Sequence, residues 1–162
     1  MHLEKCKDVL RSGTLFRDLN EIYLDLVLMV CEEVTYSAGE VIFRQGDPGD
    51  ALYIIASGAV DILLEPNQAA DPPLVIASLE QYATFGETIL IEEGHRTATA
   101  RCRVPTTLLR VPGERMVQLT NDYPEIGFCI MRSMAAELTQ KLNLANMNLR
   151  AHMSAAASPV PE

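Results

Sequence analysis

The stretch Gly39-Glu-Val-Ile-Phe-Arg-Gln-Gly-Asp-Pro-Gly-Asp-Ala-Leu-Tyr-Ile-Ile-Ala-Ser-Gly-Ala-Val-Asp-Ile62 decides the fold. Its apolar runs are short, and turn residues separate them. Gly46-Asp47-Pro48-Gly49 is a tight turn, in which Pro presets φ and glycines take conformations closed to other residues. Ser57-Gly58 is a second turn signal, between the runs Leu52–Ile55 and Val60–Leu64. The same rhythm, rich in Val, Ile, Thr and Tyr, continues from Glu33 to Val111 and argues for an antiparallel jelly-roll barrel.

Outside that block the pattern turns helical. Residues 1–13 place Leu3, Val9 and Leu10 on a partial apolar face, and Asn20 is positioned to cap a helix over Glu21–Cys31. After Pro112 a short helix is expected at Glu114–Asn121, and Tyr123-Pro124 opens a long one, Pro being favoured in a first turn. Met131, Met134, Leu138, Leu142, Ala145 and Leu149 form an apolar stripe at helical period, expected to pack on the barrel or to form a dimer seam. Glu65–Pro73 reads as an exposed loop, and Ala155–Glu162 as a disordered tail. The expected class is therefore α+β: an antiparallel β-jelly-roll barrel flanked by N-terminal helices and a long C-terminal helix. Its parts are an N-terminal helical segment 1–32, a barrel 33–111, C-terminal helices 112–150 and a tail 151–162.

Bulk properties narrow the function. With 162 residues the chain suffices for one domain with its own core, without metals or disulfides. It has neither an 18-residue apolar stretch nor a signal-peptide pattern at its start, so no membrane span is expected. Cys6, Cys31, Cys102 and Cys129 are scattered without a Cys-x-x-Cys pair, which reads as reduced thiols in a cytoplasmic protein. A formal net charge of −9 argues against direct nucleic-acid binding. No nucleophile–base pair, metal cluster or phosphate loop of the NTPase type is present, so neither an enzyme nor a metal or catalytic residue is expected.

The chemistry concentrates in residues 85–99, Phe-Gly-Glu-Thr-Ile-Leu-Ile-Glu-Glu-Gly-His-Arg-Thr-Ala-Thr. Arg96 can fork onto phosphate oxygens, whereas Glu87 accepts only and suits a sugar hydroxyl. Gly86 permits a close approach that a side chain would block. The amides of Thr88 and Ile89 complete an anion nest at the start of a short helical turn.

This segment resembles the phosphate-binding cassette of cyclic-nucleotide-binding domains. The Phe-Gly-Glu opening and the Glu-to-Arg spacing match, as do the Gln-Gly-Asp-x-Gly-Asp turn at 45–50 and Leu-Leu-Arg-Val at 108–111. The resemblance covers roughly residues 12–149. It implies a ligand, cAMP or cGMP, and no other cofactor, with Phe85, Gly86, Glu87, Thr88, Ile89, Arg96, Thr97 and Ala98 around the sugar phosphate. It also implies that the C-terminal helix caps the purine, near Leu138, Lys141 and Leu142, and that Leu15–Leu19 forms the short helix preceding the barrel. A hydroxyl at Thr97 is linked in the family to cGMP acceptance but also occurs in cAMP binders.

Three departures stand out. Thr88-Ile89 replaces the usual Leu-Ala, so an inward Ile89 would crowd the phosphate. His95 replaces the usual Pro as a turn residue, and Glu92 and Glu93 add charges expected to face water. Leu90 and Ile91 are expected as core plugs. The function implied is a cyclic-nucleotide-binding regulatory module signalling to an effector protein, with homodimerisation through the C-terminal helix. The alternatives are a ligand-silent dimerisation or protein-interaction domain, and a fragment of a cyclic-nucleotide-responsive transcription regulator.

Overall fold

The structure, a computed structural model, describes residues 3–66, 72–91 and 94–156. α1 (Leu3–Ser12) buries Cys6, Val9 and Leu10 at helical spacing, and α2 (Glu21–Val30) buries Leu24 and Val27. Asn20 caps α2, its side-chain oxygen accepting from the Tyr23 amide at 2.9 Å. Between these helices, 15–19 is a run of turns and not the short helix expected. So short a segment gains little from helix propagation, and the burial of Leu15, Phe16 and Leu19 holds it instead.

The barrel consists of β1 (Glu32–Tyr36), β2 (Val41–Phe43), β3 (Ala51–Ser57), β4 (Val60–Leu64), β5 (Leu74–Leu79), β6 (Thr84–Phe85), β7 (Thr99–Cys102) and β8 (Thr106–Pro112). They form two four-stranded sheets, ordered β1-β8-β3-β6 and β2-β7-β4-β5, with antiparallel pairing throughout. This is the jelly roll that the turn spacing predicts. Of the expected exposed loop at 65–73, residues 67–71 lie outside the described residues, as do Glu92 and Glu93.

β3 explains why its sequence is one unbroken apolar run. Successive side chains of a strand point to opposite faces. Ala51, Tyr53 and Ile55 point into the barrel with Val60, Phe85, Ala100 and Leu108, while Leu52, Ile54 and Ala56 meet the helices. A strand buried on both faces has no place for polar alternation.

The helices form a layer on that outer face. α3 (Gly113–Asp122) contributes Met116 and Leu119, and α4 (Pro124–Ala156) contributes Ile126, Ile130 and Met134 to the same core. The packed stripe of α4 is thus Ile126–Ile130–Met134. Met131, Leu138, Leu142 and Leu149 are 40–61% exposed, so most of the anticipated stripe lies off the barrel. α4 continues past residue 150 to Ala156, and 157–162 lie outside the described residues.

Candidate functional site

β6 ends on Phe85, buried in the barrel with its ring stacked 5.3 Å from that of Tyr53. The chain then turns sharply through Gly86 into a 3-10 helix, Glu87–Leu90. Gly86 has φ +75°, and a Cβ there would lie 2.8 Å from Arg96 Nη1 and 3.2 Å from the Ala51 carbonyl. Both backbone conformation and space therefore close this position to larger residues.

Arg96 reaches the same spot through the Gly46–Gly49 turn. The Gly46 amide donates to the Arg96 carbonyl at 2.8 Å, the Arg96 amide to Asp47 O at 2.7 Å, and the Gly49 amide to Gly94 O at 3.0 Å. His95, expected as a turn residue, instead pairs in a β-bridge opposite Pro48. The two motifs most informative in sequence are hydrogen-bonded to each other.

The Arg96 side chain is only 3% exposed. Its Nη2 donates to Ala51 O at 2.7 Å and to Asp50 Oδ1 at 3.1 Å, and Nη1 reaches Gly86 O at 3.4 Å. The guanidinium lies 4.1 Å from the centroid of the Phe43 ring. Its Nε is buried and has no hydrogen-bond partner.

Asp50 also accepts from Arg110 Nη2 at 2.7 Å, and Arg110 Nη1 donates to Glu32 at 2.7 Å. Burial pulls the Asp50 carboxyl upward, but the Arg110 hydrogen bond and the charges of Arg110 and Arg96 outweigh it and hold the group below its ordinary value. Arg110 moves further upward despite burial, through its bonds to Asp50 and Glu32.

A cavity of about 380 Å³ opens beside this arginine, within the size range of small-molecule sites. Phe85, Gly86, Glu87, Thr88, Arg96, Thr97 and Ala98 line it from the cassette, Phe43, Ile62, Ala77, Leu79 and Thr84 from the barrel, and Glu137 and Lys141 from α4. The buried hydroxyl of Thr84, like Arg96 Nε, has no partner. Lys141 pairs with Glu137 at 2.8 Å. Burial lowers its affinity for the proton, but that hydrogen bond and the charges of Glu137 and Glu87 reverse the effect and raise its pKa.

Three of the expected site residues stand apart. Ile89 does not line the cavity; its side chain points the other way, against Gly49 and Gly113, so it does not crowd the place beside Arg96. Leu138 lines a neighbouring crevice of about 100 Å³ with Met134 and Ile91. Leu142 is 61% exposed and lines neither space, because the rotation of α4 presents Glu137 and Lys141 instead. Ile91, expected as a core plug, is 58% exposed, whereas Leu90 does pack on the helical core.

Asp50, Phe43, Thr84 and Glu137 were not singled out from sequence. Asp50 carried the clearest signal, since it closes the Gln-Gly-Asp-x-Gly-Asp turn, but its partners Arg96 and Arg110 are visible only in three dimensions. Among the described residues no group of three or more His, Cys, Asp or Glu is arranged to hold a metal ion. The cysteines are free, and burial pushes the Cys31 thiol up to about 12.

Jelly-roll barrel, cassette and flanking helices together define a barrel domain with a cavity of small-molecule size between cassette and α4. The family described as Cyclic nucleotide-binding domain matches residues 33–123, and the chain belongs to that family. It is 32% identical to a cAMP-dependent protein kinase regulatory subunit of Dictyostelium discoideum, over 68% of this chain and 33% of the relative. It is 31% identical to a Cyclic AMP receptor protein of Thermus thermophilus, over 86% of this chain and 62% of the relative. The chain thus spans less than two thirds of either protein. The solved N-terminal domain of a transcriptional regulator from Streptomyces coelicolor A3(2) superposes with a TM-score of 0.73 at 28% identity, covering 85% of this chain and 95% of that one. No helix among the described residues is long and apolar enough to cross a membrane.

Proposed function

We propose that this domain binds a cyclic nucleotide, cAMP or cGMP, in the cavity beside Arg96. The cyclic phosphate accepts from Arg96 and from the leading amides of the 3-10 helix, the ribose hydroxyl donates to Glu87, and the base lies toward Lys141 under α4. One observation carries this reading: the Nε of a buried arginine that lines the cavity has no acceptor. A buried donor left unpaired costs about 1–3 kcal/mol, and an anionic oxygen removes that cost with a charge-assisted bond. Nη2 of the guanidinium is already held by Ala51 O and Asp50, which leaves Nε as the unpaired donor that an anionic ligand would satisfy.

The proposed output is a population shift in which ligand favours one setting of α4 over the barrel. The domain then acts in the cytoplasm on an effector protein or on a second protomer. Exposed Leu142, Leu144, Met147 and Leu149 on α4 support homodimerisation.

The test is calorimetric titration with cAMP and with cGMP, alongside Arg96→Ala. Losing one side of a charged hydrogen bond costs about 1.5–3 kcal/mol, so Arg96→Ala lowers affinity by at least about tenfold. Absence of heat with both nucleotides in the wild type overturns the proposal.

A further inference from the structure

Gly49 and Gly113 are glycines for a reason that turn chemistry does not supply. The left-handed glycines among the described residues are Gly39, Gly46, Gly58 and Gly86, so neither of these two is needed for backbone conformation. What both positions lack is room. A Cβ on Gly49 would stand 2.7 Å from Ile89 Cγ2, and a Cβ on Gly113 would stand 2.8 Å from Ile89 Cδ1. The two arms of one branched side chain each occupy the space of a missing Cβ.

The three residues belong to three elements: the 3-10 helix of the cassette, the turn before β3, and the first residue of α3. Backbone bonds join them as well. The Gly113 amide donates to Asp50 O at 2.8 Å, and the Gly49 amide to Gly94 O at 3.0 Å. Asp50 is also the carboxylate that holds Arg96. Ile89 is not sealed core: it is partly buried and stands at an open crevice with Glu114 and Val117. Its β-branched side chain is stiff at χ1, which fixes the γ-methyl against Gly49.

The geometry points to Ile89 as a positioning residue, a knob that locks the cassette into a two-glycine cradle so that the 3-10 helix moves only together with the first turn of α3. This rests on the cavity beside Arg96 being the nucleotide site. The lock makes cassette geometry, and hence ligand affinity, depend on a contact outside the cavity.

The two arms allow a discriminating experiment. Valine at position 89 keeps a γ-methyl against Gly49 but lacks the δ-methyl against Gly113. Gly113→Ala and Gly49→Ala are therefore prepared alone and each combined with Ile89→Val. Two quantities are measured on the full chain: hydrogen exchange of amides 87–91 and 113–117 without ligand, and Kd for cAMP and cGMP. Overpacking moves the cassette, so both glycine variants speed exchange locally and weaken nucleotide by about fivefold or more. Ile89→Val restores Gly113→Ala in large part, the 3.3 Å approach of its Cβ to the Asp50 carbonyl remaining, and leaves Gly49→Ala impaired. Restoration of both, restoration of neither, or unaltered local exchange in the single variants overturns the cradle. If the wild type binds neither nucleotide, the nucleotide reading fails, while the exchange pattern still decides the cradle.

Discussion

At the scale of single residues, the site depends on Arg96 having a shape as well as a charge. Its planar fork meets Ala51 O, Asp50 and Gly86 O at once while lying over Phe43. Lysine keeps the charge but not the fork or the stacking. Arg96→Lys is expected to lose roughly tenfold or more in nucleotide affinity, measurable by calorimetry. Asp50 gives a pH dependence of determined sign. Its folded pKa lies below the unfolded value of about 3.9, so its contribution is present above that pH. That contribution is lost as pH falls through the still lower folded value. Acid unfolding followed by circular dichroism should show a loss of stability below about pH 4 that Asp50→Asn diminishes; an identical acid limb in both proteins would contradict it.

At the scale of elements, α4 has two parts with different tasks. Ile126, Ile130 and Met134 anchor it, and Glu137 with Lys141 reaches the cavity. Beyond them Leu142, Leu144, Met147 and Leu149 are 54–65% exposed. Ending the chain after residue 142 should leave both melting temperature and monomer nucleotide affinity close to the full chain. Ending it after 135 should keep a folded barrel, read by far-UV circular dichroism, yet weaken nucleotide by removing the α4 wall. Periodicity identified this helix but not its rotation, because the apolar residues of its later half lie at helical spacing without touching the barrel. The short segment 15–19 failed for the converse reason: its buried Leu15, Phe16 and Leu19 are held by the neighbouring helices and not by a ladder of their own.

At the scale of the whole molecule, ligand binding and stability are linked. A nucleotide at 100 times its Kd adds about 2.7 kcal/mol to the folded state. For a domain of this size that raises the melting temperature by about 5–10 °C, and the same concentration should leave Arg96→Ala nearly unmoved. The amino-acid sequence by itself determined the jelly roll, the helices around it and the cassette, because these depend on local signals: period-2 runs, turn residues at fixed offsets, an Asn cap and the spacing of Glu87 from Arg96. Only the tertiary structure decided that Arg96 is buried on Asp50, that Ile89 turns away into the space left by Gly49 and Gly113, and that Lys141 rather than Leu142 faces the cavity. Those are contacts between residues distant along the chain, fixed by how packed elements exclude one another, and no local pattern encodes which neighbour a side chain will meet.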